Sequence, residues 1–104
     1  MATSPTQLTL AKMRKDGYLA WITEHWDSFS RKRRDLWTFC DVLCVRDSEV
    51  VAVQCTSYTN ISARVKKIQE CEYTPDVRKA GIRIVVQGWR KVNNRWQCKE
   101  VDLS

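Results

Sequence analysis

The chain has 104 residues, too few to divide into two independent cores, so any site it carries must share a single interior. Hydrophobic residues at 43% and charged residues at 29% exclude a disordered chain and predict a packed, soluble domain. Eighteen Lys and Arg against twelve Asp and Glu give a formal charge of +6, which favours a polyanionic partner, with nucleic acid first, or else serves as a solubilising surface. The excess sits in Arg31-Lys32-Arg33-Arg34, Lys66-Lys67 and Arg90-Lys91.

Five cysteines, Cys40, Cys44, Cys55, Cys71 and Cys98, form an odd set without CxxC spacing, and the first three lie inside apolar runs. They read as small buried hydrophobes in a reducing cytoplasm. With one histidine, His25, and no paired-cysteine motif, a structural zinc site is not expected. No segment has the length of a membrane span or the pattern of a signal peptide, so an intracellular location is expected.

In chain order, residues 1–6 read as a flexible lead and 7–104 as one domain. Thr6 or Thr9 is positioned to cap a helix running to about Asp16, and Gly17 ends it. Tyr18 to Trp26 is aromatic and partly β-branched, which predicts a strand carrying Glu24. Ser28 to Arg34 is polar and basic without apolar periodicity, as in an exposed loop. Leu36 to Val45 predicts a strand, Arg46-Asp47-Ser48 a tight connection, and Glu49 to Ser57 a second strand, together a hairpin with a buried centre.

Asn60 suits the N-cap of a helix in which Ile61, Val65 and Ile68 form an apolar stripe opposite a basic side. A turn near Thr74-Pro75 leads into a short helix to Ala80, closed by Gly81. Ile82 to Trp89 and Trp96 to Leu103 predict two further strands joined through Val92-Asn93-Asn94-Arg95.

Within the predicted hairpin, Asp41 interrupts one apolar run, and Gln54 and Thr56 interrupt the other. Because side chains alternate at period two, Gln54 and Thr56 face the same side of their strand, and pairing across the turn brings Asp41 near Gln54. A buried carboxylate is costly unless a cation, a metal or several donors satisfy it. Asp41 is therefore either a metal ligand or an acceptor for a neighbouring arginine or backbone group.

These residues resemble the motif of the PD-(D/E)XK nucleases, nearest to archaeal-type Holliday junction resolvases and related small phage proteins. That superfamily has an α-β-β-β-α-β core with an early Glu, an Asp on the second core strand, and a Glu-x-Lys on the third. Glu24, Asp41 and Gln54-Cys55-Thr56-Ser57 occupy the equivalent places here, over about Leu8 to Trp89. The resemblance implies a restriction-endonuclease-like α/β fold with an extra C-terminal strand, and magnesium or manganese held by Glu24, Asp41 and Gln54. It also implies phosphodiester hydrolysis on DNA, and a homodimer.

Two departures stand out: Gln54 keeps an oxygen but lacks the charge of the second acid, and Thr56 replaces the lysine. Lys67 or Lys66, on the helix after the motif, is the candidate replacement, with Asn60 and Arg64 on the same face as Lys67. These helix residues equally suit a solvated face, and Glu24 equally suits a strand position facing water.

Arg31, Lys32, Arg33 and Arg34 are candidates for phosphate contacts, as are Asn60, Arg64, Lys66, Arg90 and Lys91. The five tryptophans read as cross-strand core packing, or, where Trp89-Arg90-Lys91 meets Arg95-Trp96, as a base-stacking surface. The expected function is a DNA-binding nuclease-fold protein with an altered metal site. The rivals are a nuclease-derived module that binds DNA or a protein without catalysis, and a small interaction protein whose basic face meets an acidic one.

Overall fold

A computed structural model describes residues 3–104. The elements are helix α1 (Pro5–Lys15), strands β1 (Leu19–Ile22), β2 (His25–Asp27), β3 (Lys32–Arg34), β4 (Val42–Arg46) and β5 (Glu49–Ser57), a 3-10 turn over Tyr58–Asn60, helices α2 (Ile61–Glu70) and α3 (Thr74–Lys79), and strands β6 (Arg83–Val92) and β7 (Arg95–Asp102). Five strands form one mixed sheet in the order β1-β4-β5-β6-β7, and β2 and β3 form a separate hairpin. Among the described residues only the β5–β6 pair is parallel, and α2 and α3 make the crossover that a parallel connection requires.

Alternation along the central strands divides the core into two layers. Val51, Val53, Cys55 and Val85 pack with Leu10 and Met13 of α1, while Ala52, Ile84 and Val86 pack with Ile61 and Ile68 of α2 and Val77 of α3. On the α1 side the buried indole of Trp89 donates from Nε1 to Thr9 Oγ1 at 3.0 Å, which satisfies both groups. On the α2 side Gly88 has no spare room, since a Cβ there would lie 2.3 Å from Ile61 Cδ1. The missing side chain is what lets α2 approach the sheet. The thiols of Cys40 and Cys44 are pushed by burial up to about 11 and about 12, and that of Cys55 is pushed up as well, so none is a nucleophile at neutral pH. Among the described residues, no helix is long and apolar enough to cross a membrane.

Several elements differ from the sequence reading. Helix α1 is capped by Ser4, whose Oγ accepts from Gln7 N at 3.2 Å, and not by Thr6 or Thr9, because Pro5 fits the first turn where its missing N–H costs nothing. Of the expected lead, residues 1–2 lie outside the described residues, and Pro5 and Thr6 are already helical. The strand expected over Tyr18 to Trp26 is two strands. Pairing of β1 with β4 ends at Ile22 and Val42, and Thr23 then turns the chain, its Oγ1 donating to the Cys40 carbonyl at 2.7 Å.

The basic segment Ser28 to Arg34 is exposed as expected but includes β3, which pairs with β2. Leu36 to Cys40 is a tight turn and not the first half of a strand, with Trp37 at φ 54° and Thr38 at φ 67°. Asn60 holds the N-cap position of α2 but its side chain makes no capping bond, because a 3-10 turn leads directly into the helix. Trp21 and Trp26 are largely exposed, at 69% and 60%, and pack in no core.

Candidate metal centre and basic groove

Strand register places the first two site residues. The β4–β5 hairpin turns through Asp47 and Ser48 with Arg46 opposite Glu49, and that register continues until Asp41 lies level with Gln54. Asp41 N donates to the Val53 carbonyl at 2.9 Å, which holds the residue at the mouth of the hairpin. Both side chains are buried, and they meet: Gln54 Nε2 donates to Asp41 Oδ2 at 2.7 Å, and the Cys55 N–H donates to the same oxygen at 2.8 Å. Asp41 is thus fixed through one oxygen. Gln54 Oε1 is buried with no hydrogen-bond partner among the described residues, an arrangement that costs about 1–3 kcal/mol unless something at the site satisfies it.

Glu24 arrives from the other side. Thr23 N donates to the Asp41 carbonyl at 2.8 Å, so the residue after it stands over the Asp41 end of β4. Its carboxylate is ion-paired with Arg33.

The third acid is Asp35, which sequence reading missed. The turn at Leu36 to Cys40 doubles the chain back, with Leu36 N donating to the Cys40 carbonyl at 3.2 Å and Cys40 N to the Leu36 carbonyl at 2.8 Å. The antiparallel bridge between Leu36 and Cys40 sets Asp35 opposite Asp41. Two consecutive non-glycine residues in the left-handed region cost of order 1–3 kcal/mol each, and this strain is what brings the two carboxylates together.

Ligand oxygens of Glu24, Asp35 and Asp41 all lie within 4.8 Å of one another. Burial pushes the Asp41 carboxyl up to about 7; the Cys55 N–H opposes the shift, and the carboxylates of Asp35 and Glu24 reinforce it. Three acids so close, one of them desolvated, carry a repulsion that a cation or a proton relieves.

The cluster borders a basic groove. Lys32, Arg33, Arg34, Asp35, Thr38 and Lys67 line an open cavity of about 330 Å³ between the β2–β3 hairpin and α2. Lys67 therefore shares a wall with one of the acids, whereas Lys66 is exposed and does not line the cavity. Arg64 is half-buried and its Nε has no partner among the described residues. Thr56 is buried two residues beyond Gln54 on the same face of β5.

Other candidates lie apart. Arg90 and Lys91 follow Val86, the partner of Gln54, by four and five residues along β6, roughly 13–17 Å at the rise of a strand. Arg90 stacks over the Tyr58 ring at 4.2 Å and Lys91 lies over Trp96 at 5.6 Å, so this second basic surface is already organised around aromatic rings. Asn60 is exposed at the start of α2. No family model, curated protein or solved structure matches the chain.

Proposed function

We propose that the chain is a DNA-binding protein of the PD-(D/E)XK nuclease type, and that Glu24, Asp35 and Asp41 hold a magnesium or manganese ion for phosphodiester hydrolysis. The observation that carries this reading is the convergence of three carboxylates beside a groove walled by Lys32, Arg33, Arg34 and Lys67. The order of elements supports it. A helix, three antiparallel strands, a helical crossover and a parallel strand follow one another as in that superfamily, with β2–β3 inserted and β7 added.

The donor set fits such an ion: all three side chains offer hard oxygen ligands, and Gln54 Oε1 supplies a further buried oxygen without a partner. Bound there, the ion would stabilise charge on the phosphate and lower the pKa of a water. Gln54 is a positioning residue, since its amide nitrogen and the Cys55 N–H fix Asp41 through Oδ2 and leave the other oxygen for an ion. Lys67 and Arg34 line the groove where a phosphate would approach, and supply the positive charge that Thr56 lacks. Arg33 neutralises Glu24 in the resting protein, and an ion held by Glu24 would free that guanidinium for a phosphate. A dimer of the kind the resemblance implies has an apolar edge to use, where Leu19 and Trp21 of β1 lie exposed beside Leu43 and Val45.

The second reading, a binding module without catalysis, draws on the same Arg33–Glu24 pair, which satisfies one acid without metal. Cleavage of branched, duplex and single-stranded DNA in magnesium and in manganese separates the two. Cutting by the wild type, lost in Asp41→Ala while DNA binding persists, is the expected result. Binding that falls steeply with salt and no cutting in either metal would identify the module.

A further inference from the structure

We propose that the β2–β3 hairpin is a wedge that stacks Phe29 on an unpaired base, so that the preferred substrate is DNA carrying unpaired bases beside a duplex. The inference deepens the nuclease reading and rests on it.

Phe29 is 99% exposed, so its ring contributes nothing to any core. The backbone that carries it is nevertheless held in place. At the hairpin tip Asp27 Oδ1 accepts from Phe29 N at 3.0 Å and from Ser30 N at 3.4 Å, and Arg31 N donates to the Asp27 carbonyl at 2.8 Å. The other oxygen of Asp27 pairs with Arg34 Nε at 2.8 Å, tying the tip to β3. Asp27 is kept ionised for these roles, its carboxyl held below the usual range first by the Phe29 N–H and then by the Ser30 and Arg34 groups. The tip is therefore ordered by its own side chains while presenting a bare aromatic ring to solvent. Such a ring gains most by covering one face of another flat apolar surface.

The surroundings select which surface that is. Arg31, Lys32, Arg33 and Arg34 are all exposed and follow Phe29 after Ser30 alone, so a strand that offers phosphates beside flat bases matches this surface better than an apolar protein face does. Aromatic rings interleaved with Lys and Arg suit a strand whose bases stack while its phosphates pair. A base inside an intact duplex offers no free face, which restricts the contact to unpaired or opened positions.

Placement joins the wedge to the candidate centre. The hairpin occupies the chain between Glu24 and Asp35, two of the three acids, so it rises from the cluster itself. Phe29 stands five residues beyond Glu24, at most about 17 Å along the chain even if fully extended, or no more than about five nucleotides at 3.4 Å each. Hydrolysis is expected within about five nucleotides of the stacked base.

The test measures affinity by fluorescence anisotropy, without divalent ions, for a duplex and for the same duplex with a short unpaired stretch at its centre. The wild type is expected to bind the interrupted duplex about tenfold more tightly, and Phe29→Ala to lose that preference while its affinity for intact duplex stays unchanged. Phe29→Trp should keep the preference and Phe29→Leu should lose it, which separates stacking from simple apolar contact. If the wild type binds both DNAs alike, or Phe29→Ala retains the preference, the wedge is overturned and the nuclease reading stands. If no salt-dependent binding to either DNA is found, both fall together.

Discussion

Asp41→Asn is expected to make the metal-free protein more stable than the wild type at pH 8, by about 1–3 kcal/mol, or roughly 4–8 °C in Tm for each kcal/mol. Burial and the neighbouring carboxylates raise the Asp41 carboxyl from its ordinary 3.8 to about 7 in the folded protein. Between about pH 4 and 7 the folded state therefore holds a proton that the unfolded chain has released. Stability from this group is complete below about pH 4, declines as pH rises, and is lost above about pH 7.

An asparagine carries no charge at any pH, and its carbonyl oxygen can still accept from Gln54 Nε2 and the Cys55 N–H as Asp41 Oδ2 does. Its amide nitrogen can donate to Asp35. Thermal unfolding in chelator from pH 5 to 8 checks both statements. The wild type should lose stability across that range and Asp41→Asn should lose much less; a wild-type Tm that climbs toward pH 8 would contradict the account of the cluster.

Asp35→Asn should weaken manganese binding by at least about tenfold and reduce DNA cleavage by about a hundredfold, with the fold and the affinity for DNA retained. Asp35 lies opposite Asp41 and lines the basic groove together with Lys67, so it replaces the charge that Gln54 does not carry. Calorimetric titration with manganese reads the first effect and a cleavage assay the second. If Asp35→Asn binds manganese like the wild type, the third acid belongs to the surface and not to a centre.

Asp35 also shows where sequence reasoning ended. The nearness of Asp41 to Gln54 was legible from the hairpin and its alternation, but the register itself was not: the connection read as Arg46-Asp47-Ser48 is a two-residue turn, with Arg46 still paired to Glu49 in the strand. The ordering of α1, the β4–β5 hairpin, the crossover helices and the last two strands was legible for similar reasons, with Gly17, Gly81 and Asn93-Asn94 taking positive φ where each element stops. The turn at Leu36 to Cys40 was not. It places a tryptophan and a threonine in the left-handed region, where no glycine, asparagine or proline marks the reversal. Read as one strand, that segment puts Asp35 about 20 Å from Asp41; folded back, it puts them side by side.

The β2–β3 hairpin was hidden in the same way. Its strands are three residues long and carry no apolar alternation, and its order comes from Asp27 and Arg34 bonding across the tip. The tryptophans failed for a different reason: an exposed edge strand and an exposed hairpin have the same aromatic composition as buried ones, and only the packing of α1 and α2 decides which faces are covered. Trp89 alone among the five is buried against its sheet.

The most direct measurement is the position of manganese in crystals equilibrated with it, read from anomalous scattering. A peak with oxygens of Asp41 and Asp35 at about 2–2.6 Å, and Arg33 released from Glu24, is the expected result. Carboxylates left without a cation at saturating manganese, with Arg33 still on Glu24, would contradict the metal centre.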